Sequence, residues 1–269
     1  MENFDYDFYT NYYPDLKNMK KKEALHHYLT SGKKEKRLCN IDMLLEFQNK
    51  TNKKIKEEYE NLDINKISLP DEKMFNILIR TSNRPENFKQ CVKSVLDQKY
   101  KNFKIYVCYD KKESIDYLNN YKNTGKIKYF PVYTTSKEKY KFNLYCNDLL
   151  SKVKEGYVIF LDDDDIFCHD QVFNILNYCI NNNSLLIWKF FRPDKIIFPS
   201  DLKTIDLGEI DTTCFCSNIK NYKNCNWHDK KNGDYNFITK VIEKNKPKIK
   251  FLNKILTKTQ FTRKICNSN

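Results

Sequence analysis

The stretch Tyr157-Val158-Ile159-Phe160-Leu161-Asp162-Asp163-Asp164-Asp165-Ile166-Phe167 decides how this chain folds. An apolar run ends in four consecutive carboxylates, and the chain then turns apolar again. The run has the length and composition of a buried strand. Four adjacent aspartates repel one another at neutral pH, so a fold that keeps them supplies a counter-charge. Hard oxygen ligands of this kind suit Mg²⁺ or Mn²⁺. The quartet sits where the strand emerges into solvent, and ligands of open α/β sheets bind at that edge. The alternative is an acidic surface loop without a ligand, but such loops seldom follow so hydrophobic a strand.

Upstream, Phe75–Ile79 reads as a buried strand and Asn83-Arg84-Pro85 opens a helix, with proline near its first turn. Phe88, Cys91, Val92, Val95 and Leu96 follow at helical spacing. Phe103–Tyr109 is a second strand closed by Asp110, Ile127–Phe130 a third, and Phe142–Val153 a helix before the Tyr157–Leu161 strand. Strands alternating with helices imply parallel pairing and a mostly parallel, doubly wound α/β sheet. Downstream, Gln171–Cys179 and Tyr235–Glu243 read as helices. Leu185–Phe191, Ile196–Pro199, Thr212–Ser217 and Ile249–Leu252 read as strands.

The expected division is residues 1–40 as a small helical module, 41–70 as a charged helical linker closed by Pro70, and 71–269 as the main domain. In the module a helix is expected from Lys20 to Leu29, stopped by Ser31-Gly32.

Composition narrows the chemistry. The chain has 269 residues, 40% of them hydrophobic, and five glycines. Neither GxGxxG nor GxxxxGK[ST] occurs, which argues against a dinucleotide site and a P-loop. The formal charge is +13, but the lysines are scattered along the chain rather than gathered into one stripe. They read as the coding bias of a Lys-, Asn- and Ile-rich chain, so no specific nucleic-acid partner is expected. Several of the ten cysteines fall inside apolar runs, as Cys108 does, and behave as small hydrophobes. With no apolar stretch long enough to span a bilayer and no leader, a reducing, cytoplasmic location is expected. Cys214, Cys216, Cys225 and His228 form a C-x-C…C-x-x-H set of zinc-binding residue types, at a spacing that matches no established zinc motif.

In order along the chain, Arg80-Thr81-Ser82-Asn83-Arg84-Pro85, the helix Cys91–Gln98, Asp110, Asn147 and Leu161-Asp162-Asp163-Asp164-Asp165 resemble the motifs of GT-A-fold glycosyltransferases, above all the large family-2 group. The resemblance spans residues 75–167. It implies a GT-A fold with a donor-binding half (71–167) and an acceptor half (168–269), and transfer of a sugar from a nucleotide-sugar, a UDP-sugar by preference, to a hydroxyl of a glycan or protein acceptor. It also implies an Mn²⁺ or Mg²⁺ cofactor and inversion at the anomeric carbon. A metal bridging the diphosphate stabilises the charge of the departing group, so that group needs no proton donor.

Residue by residue, the family's DxD motif falls on Asp162-x-Asp164, with Asp164 the direct ligand, while Asp163 and Asp165 stay ambiguous between metal, donor sugar and loop. Asp110 is implied to read the pyrimidine ring, Arg80 and Ser82 to line the base and ribose pocket, and Lys141 to contact base or phosphate. Asp162 and Asp163 are counted among the donor contacts. Arg84 is left between the pocket and its own loop, and Asn147 is expected to orient the acidic loop. The general base of relatives is an acid opening a late helix. Asp234 fits, with Gly233 easing the turn before it and Asp229 and Asp211 as reserves, although this chain has Gly-Asp where the family often has Glu-Asp. Trp227 is expected to stack on an acceptor sugar and His228 to complete the metal shell.

Phe4, Phe8-Tyr9, Tyr13-Pro14-Asp15-Leu16 and His27-Tyr28-Leu29 resemble a short helical module found beside glycosyltransferase domains. Together with the Lys/Asn/Ile bias, the pairing is similar to giant-virus glycosyltransferases, which implies a host cytoplasm or a virion. Two other functions compete. A sugar-nucleotide nucleotidyltransferase usually carries a glycine-rich signature near the first strand, and Arg80–Pro85 has none. A non-catalytic glycan or nucleic-acid binder would have no need of the acidic quartet.

Overall fold

The computed structural model describes residues 4–60, 72–133, 137, 139–192 and 197–260. They divide into two compact units, one within the first 60 residues and one built on 72–192 and 197–260.

The first unit is assembled on aromatic rings. Helix α1 (Tyr6–Tyr12) starts at Asp5, whose carboxylate accepts from the Phe8 amide at 2.9 Å, a standard cap. Phe8 stacks on Tyr12 at 5.0 Å, and Tyr9 meets Phe4, Tyr13 and Tyr28 edge-on. Helix α2 (Lys21–His27) passes into a π-helical turn over Tyr28–Gly32, so the helical stretch runs past the expected Leu29 and stops at Gly32. A β-carbon at Gly32 would collide with the Tyr9 hydroxyl, so the glycine serves close packing. Helix α3 (Ile41–Glu60) covers most of the expected linker, while Pro70 lies outside the described residues.

The second unit is a nine-stranded mixed sheet. Strands β1 (Phe75–Thr81), β2 (Phe103–Tyr109), β3 (Ile127–Pro131) and β4 (Tyr157–Asp162) pair in parallel, in the order β3-β2-β1-β4. Helix α4 (Pro85–Leu96) joins β1 to β2, and α6 (Lys141–Leu150) precedes β4, after the short α5 (Ser114–Leu118). The second half is mixed. β8 (Phe215–Asn218) runs antiparallel to β4 and to β6 (Ser184–Phe191), and β7 (Ile197–Phe198) runs antiparallel to β6. β9 (Lys248–Thr259) pairs in parallel with β6, and its far end pairs antiparallel with β5 (Asp165–Phe167). The parallel expectation therefore holds for β1–β4 and gives way beyond them.

Helices cover both faces. On one face α7 (Val172–Cys179) presses Phe173 against Phe75 and Phe103, at 5.6 and 5.5 Å between ring centres. On the other lie α6 and α8 (Gly233–Asn245), where Phe237 stacks on Trp227 at 4.5 Å and both rings meet Phe160. Burying each such side chain contributes about 1.5–3 kcal/mol. The strand order turns back between β1 and β4, which opens a crevice at their carboxyl ends.

Candidate active site

The fold separates four carboxylates that the sequence leaves equivalent. Asp162 is the last residue of β4, Asp163 and Asp164 form the turn, and Asp165 opens β5. Pairing of Asp165 with Thr259 anchors the far side of the turn, and the Gln260 amide donates to the Asp163 carbonyl at 3.1 Å.

Each carboxylate then meets a different environment. Asp162 takes a two-pronged contact from Arg80, Nε to Oδ1 at 2.5 Å and Nη2 to Oδ2 at 2.6 Å. Asp163 is fully buried and accepts from Thr81 Oγ1 at 2.6 Å and from Arg84 Nε at 3.1 Å, with Arg84 Nη2 on its other oxygen. Asp164, at the tip, keeps a side chain 32% exposed and accepts from Arg84 Nη1 at 3.0 Å. Asp165 is buried again. One oxygen each of Asp162, Asp164 and Asp165 lies within 4.8 Å of the others, a donor set that fits a hard divalent cation.

The electrostatics show a site short of positive charge. Burial pushes the Asp163 carboxyl up to about 6, against the opposing pull of Arg84 and Thr81. Burial, then the Asp162 charge, raises Asp164 despite Arg84. Asp165 is raised further, by burial and then by the charges of Asp211, Asp162 and Asp164. A dication would reverse this balance.

The quartet borders a cleft of about 420 Å³ at the crevice. Arg80, Ser82, Asp110, Lys141, Asp162 and Asp164 all line it, as six of the sequence-predicted residues. Thr81, Arg84, Phe142 and Tyr145 complete the lining. Arg80 also donates to the Phe142 carbonyl at 2.9 Å and lies 5.2 Å from its ring, which ties β1 to the start of α6. Asp110 follows β2, with one oxygen 3.4 Å from the Tyr145 hydroxyl and the other buried and, among the described residues, without a hydrogen-bond partner. A buried acceptor left unpaired costs about 1–3 kcal/mol, so a donor from a bound ligand has something to satisfy. Tyr145 lies three residues after Phe142 and four after Lys141, and that i+3, i+4 spacing was the available sequence signal for it.

Asp234 opens α8, where its carboxylate accepts from the Tyr235 amide at 2.8 Å. Burial raises its pKa, partly offset by that amide and by Arg80. Asp211 is pushed up to about 7 by burial and then by the charges of Asp234 and Asp162. These two acids do not line the cleft, but their charges bear on the Arg80–Asp162 pair. Asp229 accepts from the Tyr140 amide at 2.8 Å and so helps fasten the start of α6.

Several expectations are corrected. Trp227 is 1% exposed and stacked on Phe237, so its ring belongs to the core and does not reach an acceptor. His228 lies on the surface beside Lys240 and outside the carboxylate group, so it is not a metal ligand here. Cys214, Cys216 and Cys225 are buried while His228 is exposed, and among the described residues they form no metal-binding group. Asp163 is sealed beneath the cleft and holds the turn rather than the donor. Arg84, left open between pocket and loop, pairs with two of the four aspartates. Asn147 exchanges two hydrogen bonds with the Trp227 backbone, 2.8 and 3.0 Å, and so secures the entry to α8 instead of the acidic loop. Asn232, not Gly233, takes the left-handed turn conformation. Gly233 instead lets the Asn143 amide approach.

Residues 76–198 match the model of the family described as Glycosyl transferase family 2. No curated protein sequence matches the chain. Among solved structures, S. aureus TarS 1-349 superposes with a TM-score of 0.58 at 16% identity, covering 70% of this chain and 60% of that one. The same protein in complex with UDP-GlcNAc gives 0.58 at 16% identity, over 71% and 59%. The mannosyltransferase PcManGT from Pyrobaculum calidifontis, in complex with GDP-Man and Mn²⁺, gives 0.54 at 8% identity, over 82% and 66%. The chain thus spans about 60% of the TarS structure it resembles. The architecture is the GT-A-like α/β fold.

Proposed function

We propose that the protein is a divalent-cation-dependent glycosyltransferase that moves a sugar from a nucleotide-sugar, by preference a UDP-sugar, to a hydroxyl of a glycan or protein acceptor with inversion. The observation that carries this reading is the group of Asp162, Asp164 and Asp165 oxygens at the mouth of the β1/β4 crevice, beside the unpaired buried oxygen of Asp110. The family match over residues 76–198 supports the reaction class. The UDP-GlcNAc and GDP-Man complexes of the two neighbours support a nucleotide-sugar donor.

In this reading Asp164 is the principal metal contact, because it is the exposed member of the set and Arg80 already occupies both oxygens of Asp162. When bound, Mn²⁺ or Mg²⁺ acts as a Lewis acid on the diphosphate. Arg80 holds Asp162 in place, and Arg84 with Thr81 holds Asp163, so the turn is shaped before the donor arrives. Asp110 accepts an N–H of the base, Ser82 lies against the nucleoside, and Lys141 supplies charge at the cleft wall. Asp234 is the general base that takes the acceptor proton. Its raised pKa makes it a better base than an exposed aspartate. Asp211 is the nearest alternative, because it shares the same charge environment.

The reading is tested by incubating the protein with UDP-, GDP- and dTDP-sugars, with and without Mn²⁺, and following free nucleotide. Metal-dependent release from one donor supports it, and neither binding nor release across the panel contradicts it.

A further inference from the structure

A second set of side chains gathers at the other end of α6. Lys141 and Phe142, at the start of that helix, line the donor cleft, and Lys152 and Lys154 follow its last turn. Lys152 and Lys154 join Lys104 of β2 and Lys128 of β3 around a cleft of about 370 Å³. Lys154 also lines an adjoining cleft of about 460 Å³ with Lys220 and Lys223. Lys154 is common to the linings of both clefts, and the two together make a lysine-lined groove. Among the described residues six lysines line it, and Glu155 is the only lining carboxylate. Lysines scattered over 120 positions of sequence are thus brought to one surface by the sheet.

Among the described residues, the ammonium groups of Lys104, Lys128, Lys154, Lys220 and Lys223 make no ion pair or hydrogen bond. Lysine on an edge strand such as β3 is a usual guard against strand pairing. That reason does not extend to Lys104, on the interior strand β2, nor to the lysines outside strands. The backbone beside the groove is also closely tied. The buried Asn76 amide donates to the Glu155 and Tyr157 carbonyls at 2.8 and 3.2 Å, and the Ile219 amide donates to the Gly156 carbonyl at 2.9 Å. Gly156 has φ +89°, and a β-carbon there would strike the Met74 carbonyl. Like charges held on a fixed concave surface favour a flexible polyanion that lies along it.

The lysines suit an anionic polymer, and the glycosyltransferase reading favours a glycan over a nucleic acid. Single-stranded nucleic acids use free aromatic faces for base stacking. Here Phe130 and Tyr133 stack on each other at 5.9 Å, and the Lys152 ammonium sits 5.0 and 4.6 Å from their centroids. Lys152 covers one side of that pair, but Tyr133 remains 58% exposed and Tyr106, which also lines the cleft, is half-buried, so the oligothymidylate arm of the test decides on base stacking. We propose that this groove docks a linear anionic glycan, carrying carboxylates or phosphates along its chain, away from the carboxylate corner. The choice of a glycan rests on the glycosyltransferase reading; the groove itself does not.

The test uses the full chain with fluorescent oligogalacturonate, phosphomannan fragments, neutral dextran and an oligothymidylate of equal charge, titrated from 50 to 200 mM salt. The quadruple variant Lys104→Gln, Lys128→Gln, Lys154→Gln, Lys220→Gln alters exposed side chains, so its melting temperature serves as the folding control. The expected result is binding of at least one anionic glycan, no binding of dextran, and weakening of at least about tenfold with salt. The variant binds at least tenfold more weakly with an unchanged melting temperature. The two anionic arms show whether carboxylate or phosphate is preferred. Equal binding by variant and wild type, or tighter binding of oligothymidylate than of either glycan, overturns the proposal. Asp164→Ala separates the two readings. It is expected to lose donor turnover while retaining polymer binding, and polymer binding that disappears with Asp164 contradicts a separate groove. If wild type turns over no donor yet binds the glycan through these lysines, the groove stands and the enzymatic reading falls.

Discussion

The two halves of the sheet make different contributions to one corner. β1, β2 and β4 run parallel, and their carboxyl ends deliver Arg80 and Asp162, which are in register, and Asp110, just past the end of β2, to the cleft. The mixed half delivers its acids indirectly. Asp211 lies in the chain leading into β8, and Asp234 opens a helix beyond it. The parallel half thus lines the cleft, while the mixed half supplies buried carboxylates with raised pKa values that do not line it. Acids of similar intrinsic strength acquire different tasks from their burial and neighbours.

The largest effect expected from this division belongs to Asp164. Asp164→Ala is expected to remove Mn²⁺-dependent binding of UDP, by about 100-fold or more, as loss of a principal ligand should. Calorimetric titration with and without Mn²⁺ checks it, and unchanged metal-dependent affinity breaks the assignment. Next comes Asp234→Asn, expected to lower turnover by about 10²–10⁴-fold while donor affinity stays within a few-fold. Normal transfer by that variant moves the base to Asp211 and redraws the division.

Trp227→Ala sharpens the comparison from the side of the core. The ring is fully enclosed by Phe160 and Phe237, so its removal is expected to cost about 3–5 kcal/mol of stability in denaturant melts. Acceptor KM, measured on the folded fraction, should not change, and a selective rise in KM would restore a role in acceptor binding.

The smallest effect is a pH dependence of the metal-free protein. Asp163 and Asp211 have folded-state pKa values of about 6 and about 7, above their ordinary value of 3.8. Between pH 4 and those values the folded state binds more protons than the unfolded chain, so stability falls as pH rises through this window. Thermal melts from pH 5 to pH 8 should show the decline, and Asp211→Asn should flatten the part nearest pH 7. A melting temperature that rises over this interval in the metal-free protein contradicts the charge assignment.

The same contrast explains what the sequence revealed. The parallel strands are short apolar runs bounded by Asp110 and by Asp162–Asp165, a local pattern that periodicity detects, while the cleft lining at Arg80, Ser82, Asp110, Lys141, Asp162 and Asp164 came from the resemblance to GT-A glycosyltransferases. The antiparallel closure of β5 against β9 joins Asp165 to Thr259 across 94 residues, and nothing local announces such a pair. That pairing, together with Arg80, Thr81 and Arg84, distinguishes the four aspartates, which explains why the sequence left them equivalent. Trp227 was misread for a related reason. It stands among His, Asp and Lys in the chain, and only the packing of α8 shows that the ring points inward.

The central claim is that the aspartate turn holds a cation against the diphosphate of a donor. Crystals grown with Mn²⁺ and UDP, measured at the manganese absorption edge, test it most directly. The account predicts an anomalous peak within coordination distance of an Asp164 oxygen and of the UDP phosphates. Bound UDP with no manganese signal at that turn would contradict it.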